Sequence, residues 1–281
     1  LRIYVAIGGV KTKVSKFSLR FLGQEVGNIV VEKNGRPKLR ITATHYKNNK
    51  KWFGKGEDSF GLPAAEYEWK KKKANKFRRD FMKIEKDWGV KPRIPEHRIE
   101  SEFIEEMESK KKNEFKRIVG FIQPIKIAKC PLQFPLPISA STGKPVLQLG
   151  HIDILARRGS GKISVWELKS PHALSHAVSQ VYIYARTLLY ILRSEHGEKW
   201  YQLCGFSGKV PAKLQIEAVV AIHEGMEEAF RGQYGRFIAE NNLLDVGPDR
   251  ISFSLALYDR GEETHRYRIK RFQPLESRGN S

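Results

Sequence analysis

The sequence predicts an α/β protein with a mixed sheet in its C-terminal part, preceded by a β-rich and basic N-terminal region. After Pro95, the predicted elements follow the order helix, strand, hairpin, helix, strand, which is typical of α/β domains. Before residue 46, short apolar runs alternate with turn signals such as Asn34-Gly35. The proline-containing stretch KPRIP (91–95) separates the two patterns, so we predict domains at residues 1–91 and 92–281.

The overall charge indicates the class of partner. The chain of 281 residues has 51 Lys+Arg against 31 Asp+Glu, which gives a formal net charge of +20 and a pI of about 9.9. A protein this basic usually meets a polyanion, with nucleic acid the first candidate and an anionic membrane surface the second. A generally basic surface without a specific partner is the alternative.

Cysteine content and hydropathy limit the cellular compartments in which we expect the protein. With Cys130 and Cys204 as its only cysteines, the chain lacks both a disulfide framework and a cysteine-based zinc site. Its most apolar long segment, residues 181–192, is too short to span a bilayer and contains Arg186. We therefore expect a soluble intracellular protein, cytoplasmic or nucleoid-associated. DNA and other DNA-processing proteins are its expected partners, and a membrane is not.

The segment 47–91 combines cations with aromatic residues. It has 14 Lys+Arg against 7 Asp+Glu, a net charge of +7. Cations follow phosphates and rings stack on bases, so this composition suits nucleic-acid binding. The alternative is a helix over about 64–87 with aromatic core residues and a solvated lysine face. The candidate nucleic-acid contacts are Trp69, Lys70, Lys71, Lys72, Lys73, Arg78 and Arg79.

A predicted hairpin over 146–170 brings two carboxylates together. With its turn centred near Ser160, Asp153 lies opposite Glu167, and opposed side chains share one face of the sheet. Both strands are strongly apolar, which indicates that they are covered on both faces. Two facing carboxylates repel each other unless a cation lies between them, and hard cations such as Mg²⁺ prefer oxygen ligands. An ordinary surface hairpin is the alternative.

Lys169 follows Glu167 on the same face of the strand. Its ammonium is suited to holding a water molecule or stabilising charge on a reacting phosphate. Two carboxylates, a metal ion and a lysine together suit phosphodiester hydrolysis.

The flanking helices add further candidates. In the helix predicted over about 172–193, Gln180 and Tyr184 lie one turn apart at the edge of the apolar stripe. In the helix predicted over about 96–116, Glu96 and Glu100 fall within the apolar sector, whereas Glu102, Glu105 and Glu106 fall outside it. Glu96 lies in the first turn, where the helix dipole favours an acid in any case. We therefore prefer Glu100 as the inward acid, with Glu96 as the alternative.

Asp153 followed by Glu167-Leu168-Lys169 resembles the PD-(D/E)XK nuclease superfamily, and Gln180 with Tyr184 resembles the Gln-x-x-x-Tyr motif of its RecB-like and NucS-like branches. The resemblance covers about residues 96–223 and implies a restriction-endonuclease-like αβββαβ core. Ile152 stands where many members have proline.

The resemblance also implies roles for these residues. Asp153, Glu167, the main-chain carbonyl of Leu168 and a helix glutamate would bind Mg²⁺ or Mn²⁺. Lys169 would be catalytic, and Gln180 and Tyr184 would organise the site and contact DNA.

A metal-dependent DNA nuclease acting in repair, recombination or restriction is therefore the expected function. A non-catalytic nucleic-acid-binding module of the same fold and an RNA-directed nuclease are the alternatives. His151, His172, His176 and Ser170 lie near the predicted site, and we prefer core or rim positions as the explanation for the histidines.

Overall fold

The computed structural model describes residues 2–6, 15–21, 24–31, 36–49, 62–87, 95–127, 130–136, 150–171, 174, 176–240, 245–262 and 266–275. The protein is mixed α/β and divides into two compact units, Leu1–Arg98 and Ile99–Ser281. The predicted boundary between residues 91 and 92 lies in the segment 88–94, outside the described residues.

The N-terminal unit contains an antiparallel sheet. Its described elements are β1 (Arg2–Ala6), β2 (Ser15–Phe21), β3 (Gln24–Val31), β4 (Pro37–Ile41), α1 (Ala43–Asn48), β5 (Ala65–Glu68) and α2 (Lys72–Asp87). The strands pair in the order β5-β4-β3-β2-β1. Thr42 ends β4 and caps α1, because its hydroxyl accepts the main-chain N–H of His45.

The helix predicted over about 64–87 is wrong in its first part. Residues Ala65–Glu68 form β5, and the helix begins only at Lys72. Tyr67 pairs with Leu39 and turns its ring into the core, so alternation with period 2 overrides the helical propensity of the segment.

The C-terminal unit has helices on both sides of a mixed sheet. Its helices are α3 (Pro95–Glu108, which begins in the N-terminal unit), α4 (Glu114–Val119), α5 (Ala177–Arg193), α6 (Gly197–Leu203) and α7 (Glu227–Glu240). Its strands are β6 (Ile122–Pro124), β7 (Lys126–Ile127), β8 (Cys130–Leu136), β9 (Gly150–Ile152), β10 (Ile154–Arg158), β11 (Ile163–Leu168), β12 (Gln215–His223), β13 (Asp245–Val246), β14 (Asp249–Arg260) and β15 (Tyr267–Leu275).

The main sheet follows the order β13-β14-β12-β11-β10-β6, with β15 also paired to β14. The β11–β12 and β12–β14 pairs are parallel, and the pairs β10–β11, β10–β6, β13–β14 and β14–β15 are antiparallel. All six residues of β11 are buried, as expected for a central strand with a parallel neighbour.

Two predicted helices are shorter in the structure. The helix predicted over 96–116 ends at Glu108, and Asn113 caps a separate α4 by accepting the Lys116 N–H at 2.9 Å. The helix predicted from 172 begins at Ala177. For the helix predicted over 96–116, the cap at Asn113 starts a new helix within a long polar stretch, and hydrophobic periodicity alone does not reveal this interruption.

Candidate functional site

The predicted hairpin register is confirmed. β10 and β11 pair Ile154 with Trp166 and Arg157 with Ile163, and Gly159–Gly161 form the turn. Continued by one residue, this register places Asp153 opposite Glu167 at the open end of the hairpin. The two carboxylates therefore meet where β11 ends.

Asp153 lies between β9 and β10, and its carboxylate contacts the facing strand directly. Oδ2 accepts a hydrogen bond of 2.8 Å from the main-chain N–H of Leu168. Burial raises the pKa of Asp153 well above its ordinary value, and the neighbouring charges of Glu167 and Glu100 raise it further. This part of the site is thus rich in negative charge.

The ammonium of Lys169 lies between two partners on different elements. Nζ donates to Glu167 Oε1 at 2.8 Å and to Gln180 Oε1 on α5 at 2.8 Å. Glu167 is only 3% exposed, so this ion pair offsets much of the cost of burying its charge. The two contacts fix the ammonium beside the carboxylates.

Gln180 and Tyr184 extend this hydrogen-bonded chain along α5. Gln180 Nε2 donates to the Tyr184 hydroxyl at 3.1 Å, and the Tyr184 ring is buried. Burial raises the pKa of Tyr184, opposed by its hydrogen bonds with Gln180 and the main chain of His151. The predicted contact between Gln180 and Tyr184 is therefore confirmed, and Tyr184 lies inside the buried face of α5 rather than at its rim.

Glu100 is the inward acid of α3. It is 2% exposed and close enough to Asp153 to raise its pKa, whereas Glu96 is partly exposed. Its neighbours on the apolar stripe, Ile99 and Phe103, are fully buried. The placement of Glu100 inside the apolar sector is thus confirmed.

The glutamates of α3 outside its apolar sector have partners within the protein. Glu102 accepts the main-chain N–H of Tyr267 at 2.6 Å, Glu105 pairs with Arg266, and Glu106 accepts from Asn113. Their partners lie far along the chain or beyond the end of the helix, so a helical wheel does not reveal them.

Sequence reasoning missed Tyr258, a residue of β14. Its buried hydroxyl donates to the main-chain carbonyl of Lys169, and its ring meets Phe103 of α3 edge-on with centroids 6.1 Å apart. Tyr258 therefore connects the strand end that carries Lys169 with the helix that carries Glu100. A tyrosine in the apolar run LALYD was the available signal, since a buried hydroxyl needs a partner.

The donor chemistry of this cluster fits a hard divalent cation, because carboxylates that crowd together and raise the pKa of Asp153 gain from a positive charge between them. The described residues nevertheless contain no group of three or more His, Cys, Asp or Glu side chains that could hold a metal ion. Asp153 instead accepts from a main-chain N–H and Glu167 from an ammonium. Each of these two carboxylates therefore accepts at least one hydrogen bond within the protein, through Asp153 Oδ2 and Glu167 Oε1.

The other residues singled out near the site differ in their exposure. His151 is exposed, and its main chain rather than its ring contacts Tyr184. His176 is exposed at the start of α5, and Ser170 is half-buried beside Lys169. His172 lies outside the described residues.

In the N-terminal unit, the predicted cations are at the surface but most described aromatics are not. Lys70, Lys71, Lys72, Lys73 and Arg79 are exposed. Phe77 and Phe81 are fully buried, so the expectation that rings of this segment stack on bases is wrong for them. Trp69 is half-buried, with the Arg78 guanidinium 4.1 Å from its ring centroid. Trp52, Phe53, Phe60 and Trp88 lie outside the described residues.

No helix in the described part of the chain is long and apolar enough to cross a membrane. Comparison of the chain with protein-family models, curated proteins and solved structures finds no match.

Proposed function

We propose that the C-terminal unit is a metal-dependent DNA nuclease with a restriction-endonuclease-like core of the PD-(D/E)XK type. The observation that carries this proposal is the meeting of two facing carboxylates with a hydrogen-bonded ammonium at the end of β11. Asp153 accepts the Leu168 N–H there, and hydrogen bonds link Glu167 through Lys169 and Gln180 to Tyr184. Such a cluster is costly to fold, which favours a functional role.

Asp153 and Glu167 would hold Mg²⁺ or Mn²⁺, with the main-chain carbonyl of Leu168 and the carboxylate of Glu100 as further oxygen donors. When bound, the cation supplies charge neutralisation at the phosphate and lowers the pKa of an attacking water. Glu167 would hold the cation while its Oε1 keeps the hydrogen bond from Lys169.

Lys169 stabilises the negative charge that develops on the phosphate during hydrolysis. Glu167 and Gln180 hold its ammonium in place, and Tyr184 in turn holds the amide of Gln180. The Lys169 ammonium is therefore in position before the substrate binds, which lowers the free energy needed to reorganise the site during the reaction.

The central experiment is cleavage by Asp153→Ala. Linear, circular and single-stranded DNA, with a matched RNA oligonucleotide, are incubated with Mg²⁺ or Mn²⁺, and product sizes are read. We expect wild type to cut DNA and Asp153→Ala to leave it intact. The variant should bind DNA as well as wild type or more tightly, because a charge that repels phosphate is removed.

Glu195→Gln is the matched control, since it also removes one carboxylate charge but at a side chain that is 85% exposed and pairs with His196. It should cleave normally. Full cleavage by Asp153→Ala, or by wild type in excess chelator, contradicts the proposal. Cleavage of RNA alone would reassign the substrate.

A further inference from the structure

A second aromatic and basic surface lies in the C-terminal unit, away from the carboxylates. Phe121 is 61% exposed and follows Gly120, whose φ of 84° turns the chain sharply at the end of α4. The next residue, Ile122, is buried and begins β6. Side chains alternate along a strand, so burial of Ile122 leaves the ring of Phe121 facing outward.

An open groove of about 820 Å³ runs beside this ring, with Lys112, Lys116, Arg117 and Gln123 among its lining residues. Grooves of this volume hold ligands larger than a single ring. The surrounding stretch 108–126 contains six Lys+Arg against two Asp+Glu. Lys110 and Lys112 are exposed, so their charges are available to a polyanion in solution.

Taking the proposed function as the basis for the ligand class, we propose that this groove binds an unpaired stretch of the nucleic-acid substrate, with one base stacked on Phe121. An exposed ring among cations binds single strands, because bases stack on the ring while phosphates meet the positive charges. In a duplex both faces of each base are already covered, so the ring selects unpaired nucleotides. The substrate is therefore a strand with a single-stranded portion, such as an overhang, a flap or a frayed end.

The position of the groove sets the length of that portion. Ile122 pairs with Arg158 at the turn end of β10, and Asp153 precedes the other end. Five residue steps along a strand separate these ends by roughly 17 Å. The unpaired portion must therefore span roughly this distance between the stacked base and the reacting phosphate.

The test measures binding in chelator, so that it does not depend on cleavage. Anisotropy is recorded with a labelled single-stranded oligothymidine and with a fully paired duplex of the same length. Phe121→Ala should weaken single-strand binding by about tenfold, on the scale of losing one stacked base, and leave duplex binding unchanged. Phe121→Trp should retain binding, and Phe121→Leu, which is apolar without a ring face, should resemble Phe121→Ala.

Tyr190→Ala is the matched control, because Tyr190 is the other strongly exposed aromatic of the described residues, at 80%. It should bind both probes as wild type does. Lys112→Ala, which removes an exposed lysine that lines the groove, should reduce the slope of log affinity against log salt by about 0.7 for the single strand.

Unchanged single-strand binding by Phe121→Ala, an equal loss on duplex, or an equal loss in Tyr190→Ala overturns the inference. Each result is independent of the nuclease proposal. A loss confined to Phe121 variants supports the groove even if wild type cuts nothing, and normal binding by Phe121→Ala refutes it even if wild type is an active nuclease.

Discussion

At the scale of single residues, the ion pair between Lys169 and Glu167 determines how replacing Lys169 changes the cleavage rate and the thermal stability. Lys169→Ala should slow cleavage by at least about 100-fold, since one charge-stabilising group is lost. If Lys169 had no partner, replacing its partly buried ammonium with alanine would raise the thermal stability, because burying a charge is costly. Because Glu167 is buried and pairs with this ammonium, we instead expect a lower melting temperature in chelator.

Single-turnover cleavage and thermal unfolding measure these two effects. Lys162→Ala, at the turn end of the same hairpin, is the control and should change neither. A rate within a few-fold of wild type would show that Lys169 has a structural role only.

Glu100 and Glu102 provide a matched pair on one helix. Glu100→Gln should depress cleavage or shift its dependence on Mg²⁺ concentration, because it removes a buried charge next to Asp153. Glu102→Gln should do neither, since an amide oxygen can still accept the Tyr267 N–H that Glu102 now accepts. Metal titrations of initial cleavage rate check both. Similar effects from the two variants would contradict the assignment of Glu100 to the site.

At the scale of elements, an ion pair joins the end of α5 to the start of β14. Asp249 is 4% exposed, accepts from Arg193 Nε at 2.8 Å and also accepts the Leu214 N–H at 2.7 Å. The hydrogen bond from Arg193 lowers the pKa of Asp249 below its ordinary value. Its stabilising effect is therefore complete above pH of about 4, near the unfolded value, and is lost as pH falls through the lower folded value.

Asp249→Asn should thus lower the melting temperature at pH 7 by roughly 5 °C, on the scale of about 2 kcal/mol for hydrogen bonds to a charged group in a unit of this size. Below the folded pKa the carboxyl of the wild type is neutral, and the difference from the variant should shrink. Melting curves of both proteins from pH 3 to pH 7 measure this. A difference that stays constant with pH would show that the charge of Asp249 contributes nothing.

Elements and site residues could be predicted from the sequence where interactions between residues close along the chain determine their positions. Alternation along β11 and the turn at Ser160 place Asp153, Glu167 and Lys169 together, because hairpin register is fixed by nearby residues. Tyr258 was not predictable, since it reaches Lys169 from a strand 89 residues along the chain. The start of α2 was missed for a similar reason: burial of Tyr67 against β4 makes residues 65–68 a strand.

At the scale of the whole molecule, both units carry exposed cations, and their contributions to DNA affinity are separable. Lys70, Lys71, Lys72 and Lys73 are all exposed where α2 begins. Arg158 and Arg271 of the C-terminal unit are more constrained, because Arg158 pairs with the buried Glu217 and Arg271 with Glu227. The lysine run is therefore the better candidate for non-specific contact with phosphates.

Replacing these four lysines with alanine should weaken DNA binding without abolishing cleavage. The run curves around the start of a helix, so about two of its members face one groove, and each neutralised phosphate contributes about 0.7 to 0.9 to the slope. We expect the slope of log affinity against log salt to fall by about 1.5, with cleavage at saturating DNA retained because Asp153 and Lys169 are unchanged. Anisotropy at several salt concentrations measures the slope.

The double variant Lys199→Ala, Lys209→Ala, which removes exposed lysines of the C-terminal unit, is the control and should leave the slope near wild type. An unchanged slope in the quadruple variant would show that the four lysines contact solvent and not phosphates. The C-terminal unit would then be the part of the chain that binds DNA.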